Sequence, residues 1–298
     1  MNYPFNSNSS ADEVAAAFSA KGKKIIVTGA NIGIGYETAR SLSAAGAEVI
    51  FACRTPDKGR AAVAATQDAH PGCKATFKAL DLSSFESIRA FCNGLEFSDL
   101  DVLICNAGLF SSDYKTTAEG IEMTVGVCHF GHFLLVNLLQ QKLKNSEKGR
   151  VVMVASESHR MPARLDFDRF PLEEKDFSQF VAYGQAKLAN VLFANELQRR
   201  SGSDGITACS LHPGTMVTTN IGHDSLIASV TMKLMSFFTK NANQGAATSV
   251  FCALCPDESY IAGKYFSDCR PKKASTEAQD EKVAARLWQL SEKLCGIA

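Results

Sequence analysis

Tyr183 and Lys187 stand four positions apart, and their side chains can together exchange a proton. Four positions are about one helical turn, so both lie on one face if the segment is helical. A free phenol has a pKa of about 10 and exchanges protons poorly at neutral pH. A nearby ammonium favours phenolate and moves that pKa toward the working range. The pair therefore predicts a tyrosine acid/base with a lysine beside it.

A glycine-rich turn about 150 residues earlier indicates a nucleotide site. Its members are Gly29, Ala30, Asn31, Ile32, Gly33, Ile34 and Gly35. Glycine lets the backbone pass close under a pyrophosphate, whose charge faces the N–H groups and dipole of the following helix. The alternative is a tight turn without a ligand. Combined with the tyrosine and lysine, the turn predicts hydride transfer between a nicotinamide cofactor and a carbonyl or alcohol.

The residue after the second predicted strand indicates which cofactor. A site that prefers NAD usually has Asp or Glu there, to bind a ribose hydroxyl. Here Arg54 follows Cys53, and its guanidinium suits a 2′-phosphate. The sequence therefore predicts NADP(H) in preference to NAD(H). The alternative is an arginine on a solvated loop.

The elements that must position these groups alternate regularly along the chain. Apolar, β-branched runs predict strands over residues 24–28, 48–53, 74–79, 101–105, 150–156, 205–211 and 263–266. Helical patterns begin near Gly33, Pro56, Ser84, Thr117, Gln179 and Asn243. This alternation predicts an α/β fold, a single Rossmann-type, doubly wound parallel sheet with helices on both faces. We expect a catalytic domain over residues 21–298, closed by an amphipathic helix over 276–294, with residues 1–20 as a loosely held arm.

Further candidate residues follow other strands. After the third strand, Asp81 and Leu82 are predicted to flank the adenine. After the fourth, the segment Asn106, Ala107 and Gly108 is predicted to pass under the cofactor. A surface turn is the alternative for both. Ser156, at the end of the fifth strand, is predicted to donate a hydrogen bond to the substrate oxygen.

Composition excludes several classes of function. The formal net charge is zero and the basic residues are scattered, which argues against a nucleic-acid partner. The ten cysteines suggest reduced core thiols rather than a metal site. We see no secretory signal and no apolar stretch long enough to cross a bilayer, so we expect a protein of the reducing cytoplasm.

These motifs together resemble the short-chain dehydrogenase/reductase family. The likeness rests on the Thr-Gly-x-x-x-Gly-x-Gly turn, Asn-Ala-Gly, a strand-borne serine and Tyr-x-x-x-Lys, and it covers nearly the whole chain. It implies that Tyr183 is the acid/base, that Lys187 orients the ribose, and that Ser156 positions the carbonyl or hydroxyl. Pro213, Gly214 and Thr218 would meet the nicotinamide carboxamide.

Three phrases narrow the resemblance to the retinol-dehydrogenase-like branch of that family. They are Ser-Glu-Ser-His-Arg at residues 156–160, Phe-Thr-Lys at 238–240 followed by Gln-Gly-Ala-Ala-Thr at 244–248, and Ala-Arg-Leu-Trp at 285–288.

Two departures from the family pattern stand out. Cys128 occupies the position of an asparagine that helps to hold a water in the proton relay, and a thiol hydrogen-bonds weakly. A backbone carbonyl there is the alternative holder of that water. The loop over residues 159–170 lengthens the interval between Ser156 and Tyr183, and we expect it to shape the substrate mouth. His159 and Arg160 are predicted to anchor this loop rather than to react.

Substrate class rests on an apolar segment over residues 216–240, which predicts a helical lid over a lipophilic retinoid, steroid or fatty aldehyde. Its large apolar members are Met216, Ile221, Leu226, Ile227, Met232, Leu234, Met235, Phe237 and Phe238. The alternative is packing on the core or on another subunit, which leaves a homodimer open.

Two other functions compete with this one. One is a cofactor-binding interaction protein with little turnover, suggested by Cys128. The other is epimerase or dehydratase chemistry on a nucleotide sugar, for which the chain is short.

Overall fold

A computed structural model describes residues 3–162, 164–214 and 241–297. The strands are β1 Lys24–Thr28, β2 Glu48–Cys53, β3 Lys74–Ala79, β4 Val102–Cys105, β5 Gly149–Val154, β6 Ile206–His212, β7 Tyr265–Ser267 and β8 Arg270–Pro271. They form one sheet in the order β3-β2-β1-β4-β5-β6-β7-β8, parallel except for β8. Central strands β4, β5 and β6 are buried along their whole length, because helices cover both faces.

The helices of the described residues fill the two layers beside this sheet. They are α1 Ala11–Ala17, α2 Gly33–Ala44, α3 Pro56–Ala69, α4 Phe85–Asn93, α5 Met123–Val125, α6 Gly131–Lys144, α7 Gln179–Ser201, α8 Ala242–Leu254, α9 Glu258–Ile261 and α10 Glu281–Cys295. A π-helical turn, Gly126–Phe130, joins α5 to α6, and a 3-10 turn, Glu157–Arg160, follows β5. The predicted Rossmann-type α/β fold is thus confirmed.

The helix predicted near Thr117 begins later, at Met123. Residues 116–122 instead form a small hairpin, with a bridge between Thr116 and Glu122 and a turn at Gly120, whose φ is 79°. The side chain of Glu122 then accepts hydrogen bonds from the N–H groups of Thr124 and Val125. A left-handed glycine and an acidic cap therefore delay the helix.

The N-terminal segment packs on the domain and is not a loose arm. Ser10 and Glu13 form a reciprocal capping box at the start of α1, and Val14 is fully buried. Asp12 accepts hydrogen bonds from Arg40 of α2 and from Asn243 of α8. Long-range partners that the local sequence does not reveal therefore fix this segment.

No stretch was expected to be long enough to cross a bilayer, but one continuous helical stretch, Met123–Lys144, is long and apolar enough by length and composition alone. Its most apolar window is 78% buried inside the protein, where it packs beneath β4 and β5. This burial accounts for its apolar character as a core helix.

Candidate active site

The candidate site lies where the strand order reverses. Strand β1 pairs with β2 on one side and with β4 on the other, so the loops after β1 and β4 diverge to opposite faces. Ligands of such sheets bind outside the carboxyl ends of the strands, at this switch point. The predicted residues Asp81, Arg54, Gly29, Asn106, Ser156 and Pro213 all follow strands at this edge. Tertiary structure therefore brings one predicted residue from each of six strands to a common edge.

The glycine turn between β1 and α2 has the shape that close ligand approach requires. Gly29 and Gly33 have left-handed φ values of 66° and 61°. A Cβ atom on Gly35 would lie 2.4 Å from both the Asn106 side-chain nitrogen and the Gly29 carbonyl oxygen. No side chain caps the N-terminus of α2 at Ile32, so its first N–H groups have no side-chain partner there. These features fit a dinucleotide pyrophosphate.

The Asn106–Gly108 segment is held against this turn by Thr28. The Thr28 hydroxyl accepts hydrogen bonds from the N–H groups of Asn106 and Ala107, both at 2.9 Å. In return, the Asn106 side-chain amide donates to the Thr28 carbonyl at 2.8 Å. Thr28 belongs to the Thr-Gly-x-x-x-Gly-x-Gly motif, but no role was predicted for its hydroxyl. Its hydroxyl joins the two loops that flank the switch point.

His132, which sequence analysis missed, completes this network. Its Nε2 atom lies 2.9 Å from the Thr28 hydroxyl, and its Nδ1 atom lies 3.0 Å from the Cys128 carbonyl oxygen. Because the Cys128 carbonyl can only accept, Nδ1 carries the proton of the neutral ring and Nε2 accepts from the Thr28 hydroxyl, which also lies 3.4 Å from the Ile104 carbonyl oxygen. Burial lowers the pKa of His132 to about 4, so the ring is neutral at pH 7.

Tyr183 and Lys187 lie on one face of the first turns of α7, as predicted. Lys187 is 4% exposed, and its ammonium donates to the Val154 carbonyl at 2.9 Å. The same ammonium lies 5.5 Å from the centre of the Tyr183 ring. The Tyr183 side chain is only partly buried, so a substrate can reach it. The structure thus places a fixed positive charge beside an accessible phenol.

Ser156 begins the 3-10 turn after β5, and its hydroxyl accepts a hydrogen bond from the N–H of Ser158 at 3.1 Å. This turn packs directly on α7, where a Cβ atom on Gly184 would lie 3.2 Å from the Ser158 carbonyl oxygen. Glycine next to Tyr183 therefore lets the serine turn approach the tyrosine. Strand β5 ends at Val154, two residues earlier than predicted, which leaves Ser156 in the turn.

Cys128 lies in the π-helical turn, a feature frequent at functional sites. A Cβ atom on Gly108 would lie 3.4 Å from both the Cys128 sulfur and the Lys187 nitrogen, so these two groups flank Gly108. The thiol donates to the Leu109 carbonyl at 3.8 Å, and burial raises its pKa. It is therefore a neutral thiol near Lys187.

The Cys128 carbonyl, considered above as an alternative holder of a water, already has partners. It accepts the Nδ1–H of His132, and the Asn190 side-chain nitrogen lies 2.8 Å away when that amide is oriented to satisfy its neighbours. A carbonyl oxygen has two lone pairs. His132 and Asn190 therefore occupy both.

The remaining predicted cofactor residues have different surroundings. Arg54 is exposed after β2 and free to meet a ligand phosphate. Asp81 accepts hydrogen bonds from the Ser83 amide and hydroxyl, at 2.9 and 2.6 Å, which fixes its turn.

Leu82 is buried, and a Cβ atom on Gly131 would lie 2.5 Å from the Leu82 carbonyl oxygen. Gly214 follows β6 with a φ of 120°, whereas Thr218 and the predicted lid over residues 216–240 lie outside the described residues.

An aromatic wall stands beside the tyrosine. The Phe110 ring contacts both Tyr183 and Phe180 edge-on, with centroids 5.5 and 5.4 Å apart. Phe180 is 56% exposed, and two more exposed residues lie close by: Val181, next in the chain, and Met161, whose Cβ would be 3.4 Å from a Cβ atom on Gly184. The structure thus places large exposed apolar side chains next to the tyrosine.

Among the described residues no group of three or more His, Cys, Asp or Glu side chains can hold a metal ion. Cys252 and Cys255 do have a Cys-x-x-Cys spacing, but both are buried free thiols in or next to α8.

Comparison with known proteins agrees with this site. Residues 23–166 match the family profile described as short chain dehydrogenase. The chain is 40% identical to WW domain-containing oxidoreductase of Gallus gallus, over 97% of this chain and 72% of that protein. It is 43% identical to retinol dehydrogenase 11 of Homo sapiens, over 93% of this chain and 86% of that one.

Solved structures agree as well. A crystal structure of an uncharacterised protein from Mycobacterium paratuberculosis matches with a TM-score of 0.76 and 33% identity, covering 95% of this chain and 97% of that chain. A short chain dehydrogenase from Burkholderia cenocepacia in complex with NADP matches with a TM-score of 0.65 and 25% identity, covering 83% and 96% respectively. The chain belongs to the short-chain dehydrogenase/reductase family. It is an oxidoreductase of the class that uses NAD(P) and acts on alcohols and carbonyls, with close relatives among the retinol dehydrogenases and WW domain-containing oxidoreductases.

The neutral buried histidines predict a pH dependence of stability. The pKa of His132 is lowered to about 4 by burial, and that of His129 to about 3 by burial and by His132. Between the unfolded pKa of about 6.5 and these values, only the unfolded chain binds the protons. The free energy of unfolding should therefore fall on acidification from pH 6.5 to 4, by about 1.4 kcal/mol per pH unit for each histidine.

Urea unfolding of His132→Asn at several pH values in this range gives the free energy of unfolding as a function of pH. Its slope should be smaller than in the unaltered protein by the equivalent of one proton. The control Thr28→Val breaks the same hydrogen bond but keeps the imidazole, so it should lower stability with the slope retained. An unchanged slope in His132→Asn would contradict a neutral His132.

Proposed function

We propose that this protein transfers hydride between NADP(H) and a lipophilic carbonyl or alcohol, with Tyr183 as acid/base. The observation that carries this proposal is the Lys187 ammonium, buried and fixed 5.5 Å from the ring of a partly exposed tyrosine, at the switch point of the sheet. The reducing cytoplasm remains our proposed location, supported by ten free thiols.

Each side chain of the site has a distinct part in this chemistry. The bound cofactor supplies or accepts the hydride. Tyr183 donates its phenolic proton to the substrate oxygen in reduction and accepts a proton in oxidation. Lys187 stabilises the phenolate that remains, and the Val154 carbonyl fixes its ammonium at that place. The Ser156 hydroxyl orients the substrate oxygen beside the tyrosine.

The preference for NADP(H) rests on Arg54. It is exposed just after β2, where the ribose 2′ position of a dinucleotide would lie. No acidic side chain stands at the tip of this strand to repel a phosphate or to bind a free ribose hydroxyl. A guanidinium suits a phosphate through charge and paired hydrogen bonds. The NADP complex of the Burkholderia cenocepacia relative is consistent with this preference.

The lipophilic substrate class rests on the aromatic wall formed by Phe110 and Phe180. Apolar chains gain about 25 cal/mol for each Å² that they remove from water, so this surface favours a hydrophobic carbonyl compound. Retinoids, steroids and fatty aldehydes all have such chains or rings. The human and mouse relatives are named retinol dehydrogenases, which supports the retinoid class.

A second candidate function is a cofactor-binding interaction protein with little turnover. The specific observation in its favour is Cys128, whose buried thiol hydrogen-bonds only weakly and whose carbonyl is already occupied. Tyr183, Lys187 and Ser156 are all present and favour turnover instead.

Replacing the tyrosine hydroxyl tests the proposed chemistry. Tyr183→Phe keeps the ring contacts with Phe110 but removes the acid/base, so turnover should fall by about 100- to 10,000-fold. Affinity for NADPH should stay close to that of the unaltered protein. Cofactor oxidation with retinoid, steroid and aliphatic carbonyls, together with NADPH titration, measures both quantities.

Full activity in Tyr183→Phe would show that the mechanism is wrong. An unaltered protein that is inactive on every carbonyl, with turnover appearing in Cys128→Asn, would favour the cofactor-binding function.

Removing the guanidinium tests cofactor preference. Arg54→Ala should weaken NADP(H) binding by about 1–3 kcal/mol, the range for a charge-assisted hydrogen bond. The affinity for NAD(H), which lacks the 2′-phosphate, should barely change. Fluorescence titration of the two reduced cofactors provides the comparison, and an equal loss for both would reject this role.

Truncating the exposed wall tests the substrate class. Phe180→Ser should raise KM for a long-chain or retinoid carbonyl about fivefold, equivalent to about 1 kcal/mol of lost apolar contact. KM for a small polar carbonyl on the same variant is the matched control and should not change. A variant that loses both substrates equally, or neither, would count against an apolar binding surface at Phe180.

A further inference from the structure

His159 lies in the turn after Ser156 and is hydrogen-bonded through both ring nitrogens. Its Nδ1 atom is 2.7 Å from the Ser156 carbonyl oxygen, and its Nε2 atom is 3.1 Å from the backbone nitrogen of Ser275. A backbone N–H can only donate, so Nε2 must be the acceptor. The ring proton is therefore on Nδ1, which donates to Ser156. Both contacts require this one neutral tautomer.

The surroundings of the ring maintain this state. His159 is fully buried, and its ring packs on Tyr265 with centroids 4.8 Å apart. Three charged groups act on it: Glu157, Arg160 and Lys272, with Glu157 paired to both cations. Tyr265 also donates its hydroxyl proton to Glu157 at 2.8 Å. Burial lowers the pKa of His159, and the positive charges of Arg160 and Lys272 lower it further. The hydrogen bond to the Ser156 carbonyl and the negative charge of Glu157 raise it in part.

The turn that bears Ser156 is held from two sides. On one side it contacts α7 at Gly184, next to Tyr183. On the other side the Nε2 atom of His159 accepts the Ser275 N–H, next to contacts of Arg160 with the Lys273 carbonyl and of Glu157 with Lys272, while Nδ1–H fixes the peptide that follows Ser156. The direction of the Ser156 side chain depends on that peptide. A small displacement of the turn would move the hydroxyl relative to the tyrosine.

We propose that His159, as the neutral Nδ1–H tautomer, is the positioning residue that holds the Ser156 hydroxyl at the reacting carbonyl, and that its protonation releases the turn from Ser275. Protonation places an N–H on Nε2 against the Ser275 N–H, and the two donors repel. His159 does not touch the substrate in this role. The inference rests on the proposed function, since it assumes that Ser156 orients the substrate.

Three substitutions separate the two contacts of the ring. In His159→Asn the amide nitrogen replaces Nδ1–H and keeps the bond to Ser156. In His159→Gln the amide oxygen reaches toward Ser275 and keeps that bond. His159→Leu keeps neither. We expect kcat of the leucine variant to fall about 10- to 100-fold, as for a misplaced reacting group, with the NADPH dissociation constant within about twofold of the original.

The asparagine variant should recover part of this loss, because it keeps the contact to Ser156. In the unaltered protein, protonation of His159 should lower kcat at acidic pH. The asparagine variant should lack this decline. Melting temperatures of all three variants identify any that fail to fold. A folded leucine variant with unchanged kcat, or with NADPH affinity reduced as much as kcat, would overturn the proposal.

A measurement on the unaltered protein keeps the test independent of turnover. Nitrogen-15 NMR of labelled histidine should show His159 as the Nδ1–H tautomer, and acidification should shift the Ser156 and Ser275 amides together with the ring. An Nε2–H tautomer would overturn the proposal even in an active enzyme. If no carbonyl is turned over, the proposed function has failed, and the expected tautomer and coupled shifts would still support His159 as the residue that positions Ser156.

Discussion

The Thr28 hydroxyl is the interaction on which the geometry of the site depends. It accepts the N–H groups of Asn106 and Ala107 and meets the Nε2 atom of His132. At a switch point the two central loops turn away from each other, so nothing in the sheet itself joins them. The Thr28 hydroxyl supplies that connection, supported by the Asn106 side-chain amide, which donates to the Thr28 carbonyl. It thereby ties the glycine turn, the Asn106–Gly108 segment and the π-helical turn into one unit.

The reactive groups lie on a second set of contacts next to this unit. Lys187 is held by the Val154 carbonyl, and Gly108 separates its ammonium from the Cys128 thiol. A buried ammonium is costly unless it is hydrogen-bonded and close to compensating charge or dipoles. Here its field acts on the neighbouring phenol. A buried charge would destabilise the core elsewhere, but here it serves the acid/base chemistry that we propose.

Local patterns predicted much of the fold and part of the site. Strands β1, β2 and β3 have their predicted bounds because short, β-branched runs leave little alternative. The spacing of Tyr183 and Lys187 predicted a shared helical face, which α7 provides. The delayed start of the helix at Met123 was not predicted, because a left-handed glycine and the Glu122 cap outweigh the helical pattern. The packing of α1 was also missed, since its partners Arg40 and Asn243 are distant in sequence.

The sequence by itself determined the chemical groups of this protein: the glycines of the turn, the exposed arginine after β2, and the tyrosine and lysine one helical turn apart. Tertiary structure alone decided which buried polar groups hold them in place. His132 stands in no motif that assigns it a role, and His159 was predicted only to anchor its loop, because their partners Thr28 and Ser275 are more than 100 residues away. Each nitrogen of a histidine can accept or donate a hydrogen bond, and the ring can carry a positive charge. The groups that face the two nitrogens determine which of these states is populated.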